Sequence, residues 1–463
     1  MIVMKFGGTS VGSAREIKRV VDIIKKEPRK KVVVVSAMAG VTDSLIEIAE
    51  DIVNSPVSVI ESKATEFSEN LRKKHLMVAK EVIGKKDIRE RVCKEINSLA
   101  EKLKTILLGV GYIEELSPKS LDYIMSFGER FSILLVSGAL ESVGIKSKAL
   151  TGYEAGIITD SNFGRARPLF SLLEKTIPER LKPLLEKGIT PVVAGFIAAN
   201  KDAVTTTLGR GGSDYTASLI GRYLNVEEVQ IWTDVDGILT ADPKIVKNAR
   251  LIPVLSYIEA VDLAYFGAKV IHSKMIEPAM EAEIPVRIKN TFKPDSEGTL
   301  IVREQKKIES VIKAVAIQKG VAIINMKCTG MTESPSIASK IFAPLERRNI
   351  SVPMISGSTE SNLSFVVKDE HLNEVLEIIN ENGEGSIRDI DVVRDVCIIT
   401  VVGVGMQGTK GIAAKVFQTV AEEDVNIIMI AQGSSEVNIS FIVKEEDGEK
   451  VVKAIHKRFI ESS

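Results

Sequence analysis

Cysteine, histidine and tryptophan are scarce in this chain of 463 residues, which has three, four and one of them respectively. Cys93, Cys328 and Cys397 stand far apart, which indicates neither a disulfide framework nor a metal knuckle. His75, His272, His371 and His456 show no metal-ligand spacing, and none accompanies a nucleophile, so a hydrolytic triad has nothing to build on. His75, His371 and His456 are expected at the solvated surface. An excess of charge of one sign is missing too: 61 basic residues face 62 acidic ones. That balance argues against nucleic-acid or anionic-membrane partners, which select for a basic excess. No apolar run approaches the length of a bilayer span, and the first residues pattern as a strand rather than a signal peptide. The expectation is a cytoplasmic protein.

What the chain does have is length for two or three domains and a set of glycine-rich strand-to-helix turns. The most informative stretch is Thr205–Lys244. Gly209-Arg210-Gly211-Gly212 leads into Ser213-Asp214 and an apolar spacing over Tyr215–Leu224 that predicts a helix. A buried strand is predicted at Val229–Trp232, followed by Thr233-Asp234-Val235-Asp236-Gly237. A glycine-rich turn opening a helix points backbone N–H groups at one spot where the helix dipole also favours negative charge, so anions bind there.

Two further units repeat this logic. Ile2–Phe6 is a predicted strand, Gly7-Gly8-Thr9-Ser10 a turn, and Ser13–Lys25 a helix with Ile17, Val20, Val21 and Ile24 on one face. Lys31–Val35 is a predicted buried strand, and the small residues Ser36–Asp43 lead to a helix at Leu45. Strand ends of an open α/β sheet gather on one edge, so these loops can converge on one crevice. None has the spacing GxxxxGK[ST], which makes a Walker-type nucleotide fold a poor fit.

Lys5–Ser13 (KFGGTSVGS), Ser126–Arg130 (SFGER), Thr207–Ala217 (TLGRGGSDYTA), Thr233–Pro243 (TDVDGILTADP) and Phe266–His272 (FGAKVIH) follow the order of motifs in aspartate kinases. On these motifs the chain resembles the aspartokinases of the amino-acid kinase superfamily over essentially its whole length. The resemblance implies an α/β amino-acid kinase fold, a mainly parallel sheet with helices on both faces, over residues 1–302. Between its strand–helix units, Glu61–Leu108 is charged and helical in period, and is expected to be a solvated insertion.

Residues 303–463 contain an internal repeat. Gly357–Lys368 (GSTESNLSFVVK) aligns with Gly433–Lys444 (GSSEVNISFIVK), and Ala338–Ile355 with Ala413–Ile430. Each copy patterns as strand, helix, strand, strand, helix, resembling the ferredoxin-like ACT module. After Gly448–Phe459 too few residues remain for a closing strand, whereas Val311–Ile317 precedes the first copy without a partner. Residues 318–394 are therefore expected to form a module inserted within another built from 308–317 and 395–463. Gly403-Val404-Gly405-Met406-Gln407-Gly408 satisfies GxGxxG, but the next strand, Val425–Ile430, ends without the acidic residue that holds a ribose. A structural or effector loop is the better reading.

The resemblance also implies a site and a reaction: ATP, with Mg²⁺, phosphorylates the side-chain carboxylate of L-aspartate to 4-phospho-L-aspartate. That carboxylate is ionised at neutral pH and needs no general base, so the task is positioning and positive electrostatics. Lys5 and Asp214 are the expected catalytic pair, with Lys5 on the phosphates and Asp214 orienting it near the metal; no direct protein ligand of Mg²⁺ is named. Arg210 is expected to bind aspartate carboxylate and Glu129 the α-ammonium, with Thr42, Gly211, Gly212 and Ser213 completing the pocket. Gly7, Gly8, Thr9 and Ser10 are expected at the nucleotide with Lys5, joined by Thr233, Asp234, Leu239, Lys244, Lys269 and Val270. Relatives often carry Tyr at the place of Leu239, Arg at that of Lys244, and a His-Pro pair at that of His272-Ser273. The expected effector is threonine or lysine, bound at ACT modules that pair subunits into a homodimer or homotetramer. The alternatives are a kinase of another amino-acid carboxylate and a non-catalytic amino-acid sensor.

Overall fold

The computed structural model describes residues 1–266, 272–303, 311–328, 334–348, 350–359, 362–382, 387–433 and 435–461. They fall into two compact units, Met1–Ile238 with Val270–Arg303, and Leu239–Lys269 with Glu304–Ser463. Arg303–Ile308, whose Lys and Gln content marks it as an expected linker, lies outside the described residues except for Arg303.

In the first unit a sheet runs in the order Ser147–Leu150, Thr190–Ala194, Lys31–Val35, Ile2–Phe6, Glu228–Thr233, Val286–Asn290, Thr299–Val302. Neighbours are parallel except for the last pair. A parallel strand covered on both faces needs apolar residues at successive positions, and every residue of Ile2–Phe6 is buried. Phe6 is in register with Val35 on one side and Trp232 on the other. The carboxyl ends of these strands therefore share one edge, where the glycine-rich loops begin. Helix Ala14–Lys26 is capped by Ser13, whose hydroxyl accepts from the Arg15 N–H at 3.2 Å, and it buries Ile17, Val20, Val21 and Ile24 as the spacing predicts.

The charged stretch expected as a solvated insertion is instead part of the core. It forms helices Val57–Val82 and Lys86–Tyr112. Their inner faces (Ile60, Ala64, Leu71 on one, Val92, Ile96, Leu103 on the other) join the main hydrophobic cluster. The many charged residues occupy the outer faces, and their number suggests a solvated segment although the helical period already points to an inner stripe. Helix Phe127–Ser142 comes close enough that a Cβ on Gly138 would lie 2.7 Å from Ile83 Cδ1 and 2.9 Å from Val92 Cγ2.

His75 corrects the expectation of surface histidines. It is fully buried, its ring stacked at 4.5 Å on Phe131 and its Nδ1 2.7 Å from the Leu71 carbonyl. Desolvation pushes its pKa down to about 4, so it is a neutral core residue. His456, in the second unit, is likewise buried, between Thr240 and Glu461. His371 is half-buried, as a surface side chain beside Glu370 and Glu374.

The second unit is built on a sheet in the order Ile355–Thr359, Asn362–Lys368, Ala314–Cys328, Ile387–Val402, Asn438–Lys444, Met429–Ala431. Its two long strands each serve both repeats. Ala314–Gln318 pairs with Val402–Ile398, whereas Val321–Lys327 pairs with Lys368–Asn362. Helices Ser334–Arg347 and Leu372–Asn382 close one core around Ile324, Phe365 and Ile378. Ile412–Glu422 and Glu445–His456 close the other around Ile399, Phe441 and Val452. Two ferredoxin-like modules thus share one continuous sheet. The Gly403–Gly408 segment is the short loop between strand and helix of the second module, containing a 3₁₀ turn at Val404–Met406. Ala241 and Val246 pack into that module's core, so the chain from Leu239 is built with this unit although it precedes residue 302.

Candidate active site

Lys5 stands one residue from the end of the central strand and is 8 % exposed. Burying an ammonium is costly unless a counter-charge faces it. Asp214 supplies that charge, with Oδ1 2.5 Å from Lys5 Nζ. Oδ1 has no aligned hydrogen-bond donor, so the contact is an ion pair, and the carboxylate retains acceptor capacity for a second cation.

Asp214 lies in the first turn of helix Gly212–Leu224, whose N-cap is Gly211; the aspartate itself is not the cap. Gly209 and Gly211 take left-handed φ values of 75° and 74°. A Cβ on Gly211 would stand 2.6 Å from that of His272, so both conformation and space demand glycine there. His272 caps helix Ser273–Glu281, its ring accepting from the Lys274 N–H. Ser273 takes the first helical position, where proline is favoured because that N–H is unpaired anyway, and serine fits equally.

These loops enclose a cavity of about 550 Å³, lined by Lys5, Gly8, Thr42, Glu129, Arg210 and the Gly211–Asp214 turn. Glu129 is almost fully buried on helix Phe127–Ser142. Its Oε1 accepts from the Ala37 N–H at 3.0 Å, and its Oε2 has no partner. Desolvation pushes the carboxyl up to about 8, against the hydrogen bond from Ala37. Arg210 is exposed at the turn, without a carboxylate partner among the described residues. One buried anion-in-waiting and one unpaired guanidinium thus share a cavity with a lysine–aspartate pair. Among the described residues no cluster of three or more His, Cys, Asp or Glu could hold a metal by itself.

Other candidates lie elsewhere. The Gly7 N–H is committed to the Trp232 carbonyl at 3.1 Å and so is not free for a phosphate. Ser10 is fully buried with its hydroxyl 2.7 Å from that of Thr291. That is a positioning contact between the first turn and the strand edge. Thr9 is exposed in the short turn Gly8–Val11. Thr233 ends the strand adjacent to Ile2–Phe6 and Asp234 follows it; neither is in the cavity lining, and the residue in register with Lys5 is Ile231. Leu239, bridged to Leu251, and the exposed Lys244 belong to the second unit. Lys269 and Val270 lie outside the described residues.

The sequence reading missed Phe196. It lines the cavity with a left-handed φ of 65°, and its N–H donates to the Thr216 hydroxyl at 3.2 Å. A non-glycine residue held there signals a constrained site. Gly195-Phe196 follows strand Thr190–Ala194, so it is a further strand-end loop open to the same argument as the others.

Comparison with known proteins gives the family. Residues 1–290 match the amino acid kinase family, and residues 324–382 and 399–459 match the ACT domain. Aspartokinase 1, chloroplastic, of Arabidopsis thaliana is 35% identical over 479 residues, covering 99% of this chain and 80% of that protein. Aspartokinase 2, chloroplastic, of the same plant is 36% identical over 99% of this chain and 84% of its own. E. coli aspartokinase III in complex with aspartate and ADP, an R-state structure, superposes with a TM-score of 0.84 at 29% identity, covering 99% of both chains. The same protein with lysine and aspartate, a T-state structure, gives 0.80 at 29% identity over 99% of both.

Proposed function

The chain belongs to the aspartokinases of the amino-acid kinase family and is an aspartate kinase, and from that premise we propose how its cavity works. L-Aspartate lies between Glu129, which takes the α-ammonium, and Arg210, which takes carboxylate in a bidentate grip. A side-chain carboxylate oxygen attacks the terminal phosphorus of ATP, the bond from that phosphorus to the bridging oxygen breaks and ADP leaves, and 4-phospho-L-aspartate is formed. What carries this reading is the single cavity shared by the unpartnered Glu129 oxygen, the unpaired Arg210 and the Lys5–Asp214 pair. Binding groups for a cation and an anion together select an amino acid, and the lysine supplies the charge that phosphoryl transfer requires.

Lys5 contributes by facing the transferring group with a positive charge that is already in place, so nothing has to reorganise during reaction. Asp214 fixes the position of that charge. Its Oδ1, free of any aligned donor, also fits it to hold Mg²⁺ bound with the nucleotide. When bound, the metal neutralises phosphate charge. By likeness to the aspartokinases we propose Thr233 and Asp234 for the nucleoside, and Leu239, Lys244, Lys269 and Val270 for the same nucleotide. E. coli aspartokinase III has been seen with ADP and, separately, with lysine. By likeness we assign ATP as phosphoryl donor here, and lysine or threonine as an inhibitor at ACT modules that also join subunits.

We take residues 1–302 as the catalytic domain, with residues 318–394 inserted in a module made by 308–317 and 395–463. No helix among the described residues is long and apolar enough to cross a membrane. The unpaired thiols of Cys93 and Cys397 suit a reducing compartment. The cytoplasm is our proposal, the plant relatives being named as chloroplastic.

The test is ADP release measured with L-aspartate, L-glutamate and N-acetyl-L-glutamate as acceptors. Turnover with aspartate alone supports the reading. Preference for another acid, or none with any, refutes it.

A further inference from the structure

Asp122 is a fully buried carboxylate outside the cavity that the reaction as described does not use. It sits on helix Pro118–Met125, which starts at the Ser117 cap and ends with Met125, a residue of the cavity wall. Oδ2 accepts from the backbone N–H of Gly164 at 2.9 Å and of Thr207 at 3.0 Å. Oδ1 accepts from the Thr207 hydroxyl at 2.7 Å. Gly164 and Thr207 both line the cavity, and Thr207 ends the strand that turns through Leu208 and Gly209 into Arg210.

A buried carboxylate is tolerable only with its acceptor sites filled. Here the filling groups come from two separate segments of the pocket wall, the turn at Gly164 and the strand end at Thr207. On the other side, Asp122 is covalently close to the helix that carries Glu129. A second tie runs the same way: Arg130, next to Glu129, donates to the Ser126 hydroxyl at 3.0 Å and to the Thr205 hydroxyl at 3.2 Å. Thr205 and Thr207 are the two ends of one short strand. Two polar clamps, one from the helix bearing Glu129 and one from the helix just before it, thus reach the strand that delivers Arg210.

We propose that Asp122 is a positioning residue that sets the separation of Glu129 from Arg210 and thereby the length of amino dicarboxylate the pocket accepts. The inference rests on the assignment of Glu129 and Arg210 to the two ends of aspartate. Glutamate is longer than aspartate by one methylene, a difference a rigid site turns into about 10–200-fold discrimination. A pocket whose two ends are free to drift apart loses part of that factor.

The experiment compares Asp122→Ala, Asp122→Asn and Thr207→Val in the full chain, with KM for L-aspartate, KM for ATP, and kcat/KM for L-aspartate against L-glutamate. Asp122→Ala leaves three donors unpaired. It is expected to raise KM for aspartate about tenfold or more and to narrow the aspartate-to-glutamate ratio, with KM for ATP within about twofold of wild type. Asn is expected to restore both quantities nearly fully: its carbonyl oxygen takes the two backbone donors, and its amide donates to the Thr207 oxygen. Thr207→Val removes one contact only, and should shift KM and the ratio in the same direction by less; it keeps the test decisive where Asp122→Ala folds poorly. An unchanged ratio and KM in Thr207→Val and Asp122→Ala overturns the proposal, as does a loss in which KM for ATP rises in step. Wild-type enzyme that favours glutamate would instead sink the reading of the pocket itself.

Discussion

Lys5 and Asp214, far apart in the sequence of the kinase unit, meet as a 2.5 Å ion pair at the carboxyl edge of its sheet. The strand register puts the lysine there, and the helix that begins at Gly212 delivers the aspartate. Lys5→Ala should lower kcat far more than it raises KM for aspartate. Loss of one preorganised charge is expected to cost about 10²–10³-fold. Asp214→Ala should be similarly damaging, and the double substitution less than multiplicative, because the aspartate works partly through the lysine. Steady-state kinetics on the four proteins checks this; fully multiplicative losses speak against the pairing.

Arg210→Ala should weaken aspartate and leave ATP nearly untouched. A charge-assisted contact to carboxylate contributes about 1.5–3 kcal/mol, which corresponds to roughly a 10- to 150-fold rise in Kd. Glu129→Gln should act in the same direction through the α-ammonium. Calorimetric titration with each substrate decides. Weakened ATP binding with aspartate spared would reverse the two halves of the cleft.

Burial holds the Glu129 carboxyl near 8, so it is largely protonated in the free enzyme at neutral pH. A substrate ammonium favours the ionised form. Aspartate affinity should therefore strengthen as pH rises toward about 8 and level off above it, with Glu129→Gln removing the trend. The sign for stability is opposite. A carboxyl whose folded pKa is raised adds stability below its usual 4.5, and that contribution is lost as pH rises through about 8. An affinity that is flat with pH would show that Glu129 does not meet the ammonium.

His75 titrates the other way. Its pKa is lowered from 6.5 to about 4, so the fold holds it neutral, and stability should fall as pH drops through that window. His75→Leu should flatten the acid limb of a denaturation-midpoint profile, because a leucine stacked near Phe131 has no proton to bind. An acid limb unchanged in the variant would place the sensitivity elsewhere.

Much of this was legible in the sequence, for identifiable reasons. The strands Ile2–Phe6 and Lys31–Val35 are apolar at successive positions, and the turns after them are marked by glycine and hydroxyl residues, so their common edge follows from topology alone. Lys5, Glu129, Arg210 and Asp214 do gather in one cavity. What stayed hidden depends on partners that are distant in sequence. His75 shares the helix face of Leu71 and Val78, but the preceding Lys73 and Lys74 suggest solvent, and its stacking partner Phe131 is distant in sequence. Ser10 likewise resembles a phosphate ligand until Thr291 appears beside it. The loop Gly195-Phe196 follows a strand like the others, but the left-handed backbone of Phe196 is not encoded in composition.

Regulation has its own test. Substitutions in Met354–Glu360 are expected to relieve inhibition, but Met354 is buried with Val321, Ile323 and Val366, so changing it disturbs a core. Ser356, partly exposed and in register with Ser364 on the neighbouring strand, is the cleaner target. Ser356→Ala is expected to relieve inhibition by lysine or threonine while leaving uninhibited activity largely intact, since an effector acts only through its preference for one arrangement over another. Wild-type enzyme insensitive to both amino acids would remove the regulatory reading.

The most direct measurement is hydroxylamine trapping of the acyl phosphate, followed by identification of the hydroxamate formed from L-aspartate and ATP. With Glu129 on the α-ammonium, Arg210 on a carboxylate and Lys5 facing the phosphoryl group, the side-chain hydroxamate is expected from wild type, and only traces of it from Lys5→Ala. The α-carboxyl hydroxamate, or undiminished product from Lys5→Ala, would contradict the assignment of this cavity.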